Sequence, residues 1–304
     1  MTLKSILNDG IASLNKNKID NAEFDAREIL LNLLDMDLAT FLFCEDNDLE
    51  EKHNTHYISE IINNFDRLIS YRSQHFPLQY ILGETYFCGI KFNIREGVLI
   101  PRFDTEVLVE KVINDNQDKN KYVLDMCTGS GCIALSLAKL GGYKIVACSD
   151  ISIDALELAS ENADMIIENN DVYDEMNQKV YFIQSDMFDN FDKFRENTGI
   201  DKFDIITINP PYIKTDDLNN LQIEVKQFEP KIALDGDIDG LKYYKKIAES
   251  AKDYMNEDGK IYLEIGFDQA KDVIQIFEKT GYKFVELVKD LSGNDRVLIF
   301  TNNI

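Results

Sequence analysis

Tyr122-Val123-Leu124-Asp125-Met126-Cys127-Thr128-Gly129-Ser130-Gly131-Cys132-Ile133-Ala134 reads as a strand, a glycine turn and the start of a helix. The strand is Tyr122 to Asp125, and the helix runs from Gly131 to Leu140. Glycine at 129 and 131 lets a ligand approach the backbone closely, and the helix start supplies free N–H groups. From about residue 120 the same alternation recurs. Lys144–Asp150 is a second strand, and Ser152 caps a helix through Asn162. Val180–Ile183 is a third strand and Asp204–Ile208 a fourth. Lys260–Ile265 is a fifth, followed by a helix to Lys279. Phe284–Val288 and Arg296–Phe300 predict a closing antiparallel pair. Alternating strands and helices specify an α/β, doubly wound, Rossmann-like sheet, here with an antiparallel C-terminal strand. Ligands of such sheets bind at the C-terminal edges of the strands.

The chain ahead of this sheet has a different period. Leu3, Ile6, Leu7, Ile11 and Leu14 recur at helical spacing. So do Phe24, Ile29, Leu30, Leu33 and Leu34, and then Ile58, Ile61, Ile62, Phe65, Leu68 and Ile69. Residues 1–76 are expected to form a small all-α domain, either a structural cap or a substrate-docking module. Pro77 ends that pattern. Residues 77–101 carry β-branched and aromatic residues punctuated by Gly83, Gly89 and Gly97, which predicts a β-hairpin linker. Asp104-Thr105-Glu106 then reads as a capped helix start with early negative charge, opening a third region, 102–304.

Composition narrows the class. With 304 residues, 44% hydrophobic and 29% charged, the chain can bury a sizeable core and has the balance of a soluble globular protein. It holds no apolar run long enough to span a membrane. Its start lacks a signal peptide's apolar region and cleavage site, which predicts a cytoplasmic location. Cys44, Cys88, Cys127, Cys132 and Cys148 are odd in number and lack a CxxC pair, which argues against a disulfide framework and a zinc site. His53 and His56 share a helical spacing, but a solvated loop accounts for them and no metal is expected. The net charge of −23 repels phosphate backbones, so direct specific nucleic-acid binding is not expected.

The fourth strand runs into Asn209-Pro210-Pro211-Tyr212. Two prolines remove two donors and fix two φ angles, and each holds its preceding residue extended. The side-chain carbonyl of Asn209 and the carbonyl of Pro210 thus form a rigid acceptor pair suited to a planar NH2 group. A plain proline turn is the commoner use of such a pair. At the second strand's end, Asp150 lies about 20 residues beyond the glycines, where its carboxylate reaches ribose hydroxyls. Taken alone, Gly129 to Ala134 with Asp150 also fits a dinucleotide fingerprint, and an NAD oxidoreductase stays open on those residues. Asp125 suits a cationic ligand better than a pyrophosphate, and the acceptor corner has no role in hydride transfer. S-adenosyl-L-methionine fits both features. Ser185-Asp186-Met187-Phe188 after the third strand would flank adenine, with Asp186 accepting from its amine and Met187 or Phe188 on the ring. Core packing is the competing account of Met187 and Phe188.

At this point the chain resembles the release-factor glutamine methyltransferases, the protein-(glutamine-N5) or HemK/PrmC family. The likeness is carried by Pro77-Leu-Gln-Tyr-Ile-Leu-Gly83, Val98-Leu-Ile-Pro-Arg102 with Asp104-Thr-Glu106, and Leu124-Asp125 through Gly131. It continues through Asn209 to Ile213, Glu229-Pro230, Ala233-Leu234 and Asp239-Gly240-Leu241. It covers essentially the whole chain. Asn-Pro-Pro-Tyr is shared with DNA adenine methyltransferases, whereas the stretches at 77–83 and 98–106 are more specific.

The resemblance implies a class I methyltransferase domain and a glutamine amide in the Gly-Gly-Gln loop of peptide chain release factors as acceptor. It implies a cofactor site of Asp125, Cys127, Thr128, Gly129, Ser130, Gly131, Asp150, Asp186, Met187 and Asn209. Asn209, Pro210, Pro211 and Tyr212 would bind the substrate, with Asn209, Pro210 and Tyr212 catalytic. Methylation of a ribosomal protein glutamine, or of a nucleic-acid base, is the alternative. The family usually has glycine where Cys127 stands and often tryptophan where Met187 stands. Cysteine is expected to preserve the loop if its φ is negative, and the Met187 thioether to cover a ring face.

Overall fold

A computed structural model describes residues 1–51, 54–168 and 178–302. His53 lies outside them. The chain divides into two compact units, one of Met1–Glu84 with Gln222–Phe228 and the other of Thr85–Leu221 with Glu229–Ile304.

The first unit is helical. Helix α1 (Leu3–Lys16) starts at a capping box between Thr2 and Ser5. It is followed by α2 (Ala22–Leu34) and α3 (Leu38–Cys44), the latter capped by Asp37. Helix α4 (Thr55–Ser73) is capped by Asn54, and α5 (Leu78–Leu82) follows Pro77 directly. The expected apolar stripes meet in one core, with Leu14, Ala26, Ile29, Leu30, Phe41 and Phe65 all but fully buried. Phe24 departs from its stripe and stands 50% exposed, with the Arg27 guanidinium over its ring. Gly10 is required where α1 meets α4, because a Cβ there would come within 2.6 Å of the Phe65 ring.

The segment 222–228 joins this unit through charge and aromatic packing. Arg72 is buried and donates from Nε to Asp25 at 2.6 Å and from Nη1 to Glu224 at 3.2 Å. The Phe228 ring meets Phe76 edge-on at 5.2 Å. Burial raises the Asp25 pKa, and the Arg72 guanidinium opposes the rise.

The second unit opens with strands β1 (Glu84–Phe87) and β2 (Ile90–Asn93). Cys88 and Gly89 join them with φ of 50° and 72°, the mirror-image turn that suits a twisted hairpin. The hairpin is thus shorter than the stretch expected from sequence, whose first residues form α5. Helix α6 (Glu106–Asp115) does begin after Asp104-Thr105, preceded by a 3-10 turn at Phe103–Thr105. The expected side-chain cap is not made. Asp104 instead accepts from Arg296 at 3.4 Å, and Glu106 accepts from the backbone N–H of Cys88 at 2.7 Å.

Then come β3 (Tyr122–Met126), α7 (Cys132–Lys139), β4 (Ile145–Asp150) and α8 (Ile153–Ala163). They are followed by β5 (Lys179–Gln184), α9 (Phe191–Thr198) and β6 (Phe203–Ile208). After α10 (Ile223–Phe228) of the first unit, the chain forms α11 (Lys242–Ser250), β7 (Met255–Glu264) and α12 (Ala270–Lys279). It ends in β8 (Tyr282–Lys289) and β9 (Asp295–Asn302). The strand order is β5-β4-β3-β6-β7-β9-β8. The first five are parallel, and β9 inserts antiparallel between β7 and β8. This is the class I methyltransferase sheet. Helices α9 and α11 were not read in the sequence. Leu124, Ile206, Ile261, Phe277 and Phe300 are buried members of its core.

Arg72→Met leaves Asp25 buried without its partner. It is expected to destabilise the helical unit by about 3 kcal/mol in denaturant unfolding.

Candidate active site

The glycine loop and the proline corner lie side by side because their strands do. Strand β3 pairs with β6 in parallel, Asp125 opposite Thr207 and Met126 opposite Ile208. Each chain leaves the sheet at the same edge, one into Cys127 and the other into Asn209. A cavity of about 1000 Å³, measured out to its mouth, opens there. Cys127, Thr128, Gly129, Ser130, Asp150, Asp186, Met187, Asn209 and Pro211 line it. Asp125, Gly131, Pro210 and Tyr212, also singled out from the sequence, are not among its lining residues, although Pro210 lies between Asn209 and Pro211, which are.

Asp125 is fully buried and faces the protein. It accepts from the Thr128 hydroxyl at 2.6 Å and from the Thr207 hydroxyl at 2.7 Å, so it ties the loop to β6. Burial pushes its pKa up to about 7 against those two bonds. Gly131, with φ of 79°, leaves little room beside it, since a Cβ would lie 3.2 Å from Ala159. The buried Asn162 fixes the same turn by donating to the Ser130 carbonyl at 2.9 Å. Its Oδ1 accepts from the Asn93 N–H at 2.8 Å, which carries the hairpin to the loop.

Asp150 closes the other side. Its carboxylate accepts from the N–H of Gly129 at 2.9 Å and of Ser152 at 3.0 Å. Burial raises its pKa, and those two amides pull the other way. Asp186 is held by Lys246 Nζ at 2.8 Å. The two candidates for the ring face part company. Met187 is on the wall, while Phe188 is buried and stacks on Tyr254 at 4.5 Å. Both departures from the family pattern adopt left-handed backbone, Cys127 with φ of 57° and Met187 with φ of 54°. The condition of negative φ at Cys127 therefore fails, and the loop keeps its shape with a strained cysteine in it.

The corner is braced from behind. Asn209 Nδ2 donates to the Thr105 hydroxyl at 3.5 Å, and Tyr212 donates its hydroxyl to Glu264 at 3.3 Å. Gln269 donates to the carbonyls of Tyr212 at 3.0 Å and Gly240 at 3.2 Å. Ile213 bridges to Asp235, and a Cβ on Gly236 would sit 2.8 Å from the Tyr212 Cα. The Gly236 and Gly240 positions thus admit a loop flush against the corner. Glu229, also buried, accepts from the Ile100 N–H and from Arg102, which brings Pro101 and Arg102 to the wall. Sequence reasoning missed Gln269, Glu264 and Tyr243, the last of which lines the cavity. The carboxylate at the end of β7 was the one available signal. His56 is exposed, and among the described residues no cluster of three or more His, Cys, Asp or Glu side chains is suited to a metal.

These residues suit a nucleoside bearing positive charge. Ser130 Oγ is buried on the wall without a hydrogen bond, and Gly129, with φ of 56°, has only Val98 within 4 Å of a built Cβ. Asp150 stands at the end of β4 where ribose hydroxyls would meet it, and nearby Asp186 adds negative charge.

Replacing Cys127 with glycine removes the strain. Cys127→Gly is expected to retain activity and to gain up to about 1 kcal/mol in denaturant unfolding, while the β-branched Cys127→Val loses at least about 1 kcal/mol.

Two family profiles match the chain, one described as PrmC N-terminal domain at residues 5–83 and one as methyltransferase small domain at 102–227. A protein named release factor glutamine methyltransferase from Thermodesulfovibrio yellowstonii is 40% identical over 278 residues, 90% of this chain and 91% of its own. One of the same name from Clostridium botulinum is 36% identical over 98% of both chains. Another, from Streptococcus pneumoniae, is 36% identical over 88% of both. Helical unit, glycine loop and proline corner all fall within these matches, and the chain belongs to the release factor glutamine methyltransferase family.

Proposed function

We propose that this enzyme transfers the methyl group of S-adenosyl-L-methionine to the side-chain amide nitrogen of a release-factor glutamine, that of the Gly-Gly-Gln loop. The observation that carries the reading is the Asn209 amide. Its nitrogen is turned to Thr105, which leaves Oδ1 as an acceptor on the cavity wall, adjacent through β3 and β6 to the glycine loop.

S-adenosyl-L-methionine supplies an electrophilic methyl on a sulfonium. Asp150 would accept from the ribose hydroxyls, Asp186 from the adenine amine, and Met187 would lie on the ring. Gly129 and its neighbours hold the backbone open, and Asp125 braces them from below. An amide nitrogen is a weak nucleophile because its lone pair is delocalised into the carbonyl. Asn209 Oδ1 and the Pro210 carbonyl would take its two N–H bonds, aim the nitrogen and stabilise the positive charge developing on it. The nitrogen becomes acidic only as the methyl arrives, so no prior general base is needed. Tyr212, tied by its hydroxyl to Glu264, holds the corner that presents the Pro210 carbonyl. A substrate without NH2 would leave these acceptors buried and unpaired, at about 1–3 kcal/mol per group.

Residues 1–76 would dock the substrate protein, residues 77–101 link, and residues 102–304 carry the chemistry. On α3, Leu42 is 59% and Phe43 91% exposed, which gives the helical part apolar surface to offer. No helix among the described residues is long and apolar enough to cross a membrane. The charge of −23 favours a protein acceptor over nucleic acid.

Asn209→Ala is expected to lower methyl transfer by about 100-fold or more, with donor affinity by calorimetry nearly unchanged. Retained turnover would remove Asn209 from this role. Asp150→Ala is expected to weaken donor binding chiefly, and unchanged calorimetric affinity would refute that assignment.

A further inference from the structure

We propose that Arg102 receives the carboxylate of the methyl donor, and that Glu229 holds its guanidinium in place for that task. The inference rests on the function given above and names a further part of the donor's site. Arg102 is the only Lys, Arg or His among the described residues that line the cavity. The acids on the same wall are Asp150 and Asp186. S-adenosyl-L-methionine has a positive sulfonium, a positive ammonium and a single carboxylate. The acceptor glutamine has an uncharged side chain. The donor's carboxylate is thus the one anion that enters, and a carboxylate taken out of water needs a partner. Arg102 is the one cation placed to be that partner.

Glu229 fixes the group without using it up. Its side chain is 1% exposed, whereas that of Arg102 is 39% exposed. One Glu229 oxygen accepts from Arg102 Nη2, and the other accepts from the Ile100 N–H at 3.3 Å. Both ends of the short stretch Ile100–Arg102 are therefore tied to one buried carboxylate. A guanidinium offers several N–H groups in a rigid fork. Among the described residues, Nε and Nη1 of Arg102 make no hydrogen bond. The ion pair offsets part of the charge but leaves those donors, and a planar fork suits a carboxylate.

The place along the sheet fits as well. The strands run β5-β4-β3-β6. Asp186 and Met187 follow β5, Asp150 ends β4, the glycine loop follows β3 and Asn209 follows β6. A donor with its adenine at β5 and its ribose at β4 extends its sulfonium and amino-acid tail toward β6. Thr105, just past Arg102, lines the cavity and accepts from Asn209 Nδ2 at 3.5 Å. Arg102 thus belongs to the segment at the tail end of the cavity. Lys246, the cation nearest the ring end, is held by Asp186 at 2.8 Å and is not a lining residue.

The test is calorimetry on the full-length enzyme with S-adenosyl-L-methionine and with its decarboxylated analogue, which keeps the nucleoside, sulfonium and amine. Wild type is expected to bind the analogue about 10- to 100-fold more weakly. Arg102→Gln should bind the natural donor about as weakly as wild type binds the analogue, with the affinity for the analogue itself little changed. Glu229→Gln should weaken the natural donor more than the analogue, and an equal effect on both removes Glu229 from its role. An Arg102 that merely fastens the wall would weaken both ligands alike in Arg102→Gln, which overturns the proposal. Full discrimination kept by that variant overturns it too, and so does a wild type that binds the two ligands within about twofold. If Arg102→Gln does not fold, Arg102→Lys decides. It keeps the charge and should prefer the natural donor by at least about threefold, and no preference overturns the proposal. Methyl transfer to release factor without this discrimination rejects the inference alone. Full discrimination without transfer rejects the function given above and leaves Arg102 in its role.

Discussion

The parallel pairing of β3 with β6 is the constraint on which the site depends. Neighbouring strands lie roughly 5 Å apart, so two loops that leave the same edge of two paired strands cannot separate. Here the register sets Asp125 against Thr207, and the hydrogen bond between those side chains locks it at 2.7 Å. One residue beyond the end of β3 is Cys127, and one beyond β6 is Asn209. The glycine loop and the proline corner are thus brought together by the sheet itself. The surrounding loops then have only to hold each in shape.

They do so from the protein side. Asp125 fastens the glycine loop through Thr128, and Asn162 fastens it through Ser130. Gln269, Gly236 and Gly240 fasten the corner through the backbone of Tyr212. Most of these groups never reach the cavity. Their placement explains how the loop tolerates left-handed Cys127 and Met187, since strain of this kind persists only where the surroundings over-determine the backbone. Local stability is spent on a wall whose polar atoms are aimed before any ligand arrives.

Much of this was legible in the sequence, and the reasons differ by element. Strands β3, β4 and β6 are largely buried along their length, so they read as short apolar runs, and β3 to β6 were found within a residue or two, while β7 starts five residues ahead of the run read for it. Ser152 announced α8 because a capping hydroxyl acts locally. Helices α9 and α11 were missed because charged and aromatic residues crowd their short spans. Asp104 was misread because its partner, Arg296, is remote in sequence and reaches it only through the fold. Phe24 matched a helical stripe but fell on its outer edge. Asp150, Gly129 and Asn209, which line one cavity, were singled out because their chemistry is local to a motif. Gln269 and Glu264 were not, because they act on that motif from another strand end. The substrate was the least legible of all, and it came through family likeness, which the relatives then bore out.

The central claim is that a protein amide, held by the Asn209 corner, takes the methyl. The most direct measurement incubates the enzyme with labelled S-adenosyl-L-methionine and a mixture of purified release factor, tRNA, DNA and ribosomes, then locates the label by mass spectrometry. The account predicts one methyl on the side-chain nitrogen of the release-factor glutamine, none on nucleic acid, and no transfer when that glutamine is replaced by glutamate. Label on a base or a ribosomal protein, or undiminished transfer to the glutamate variant, would contradict it.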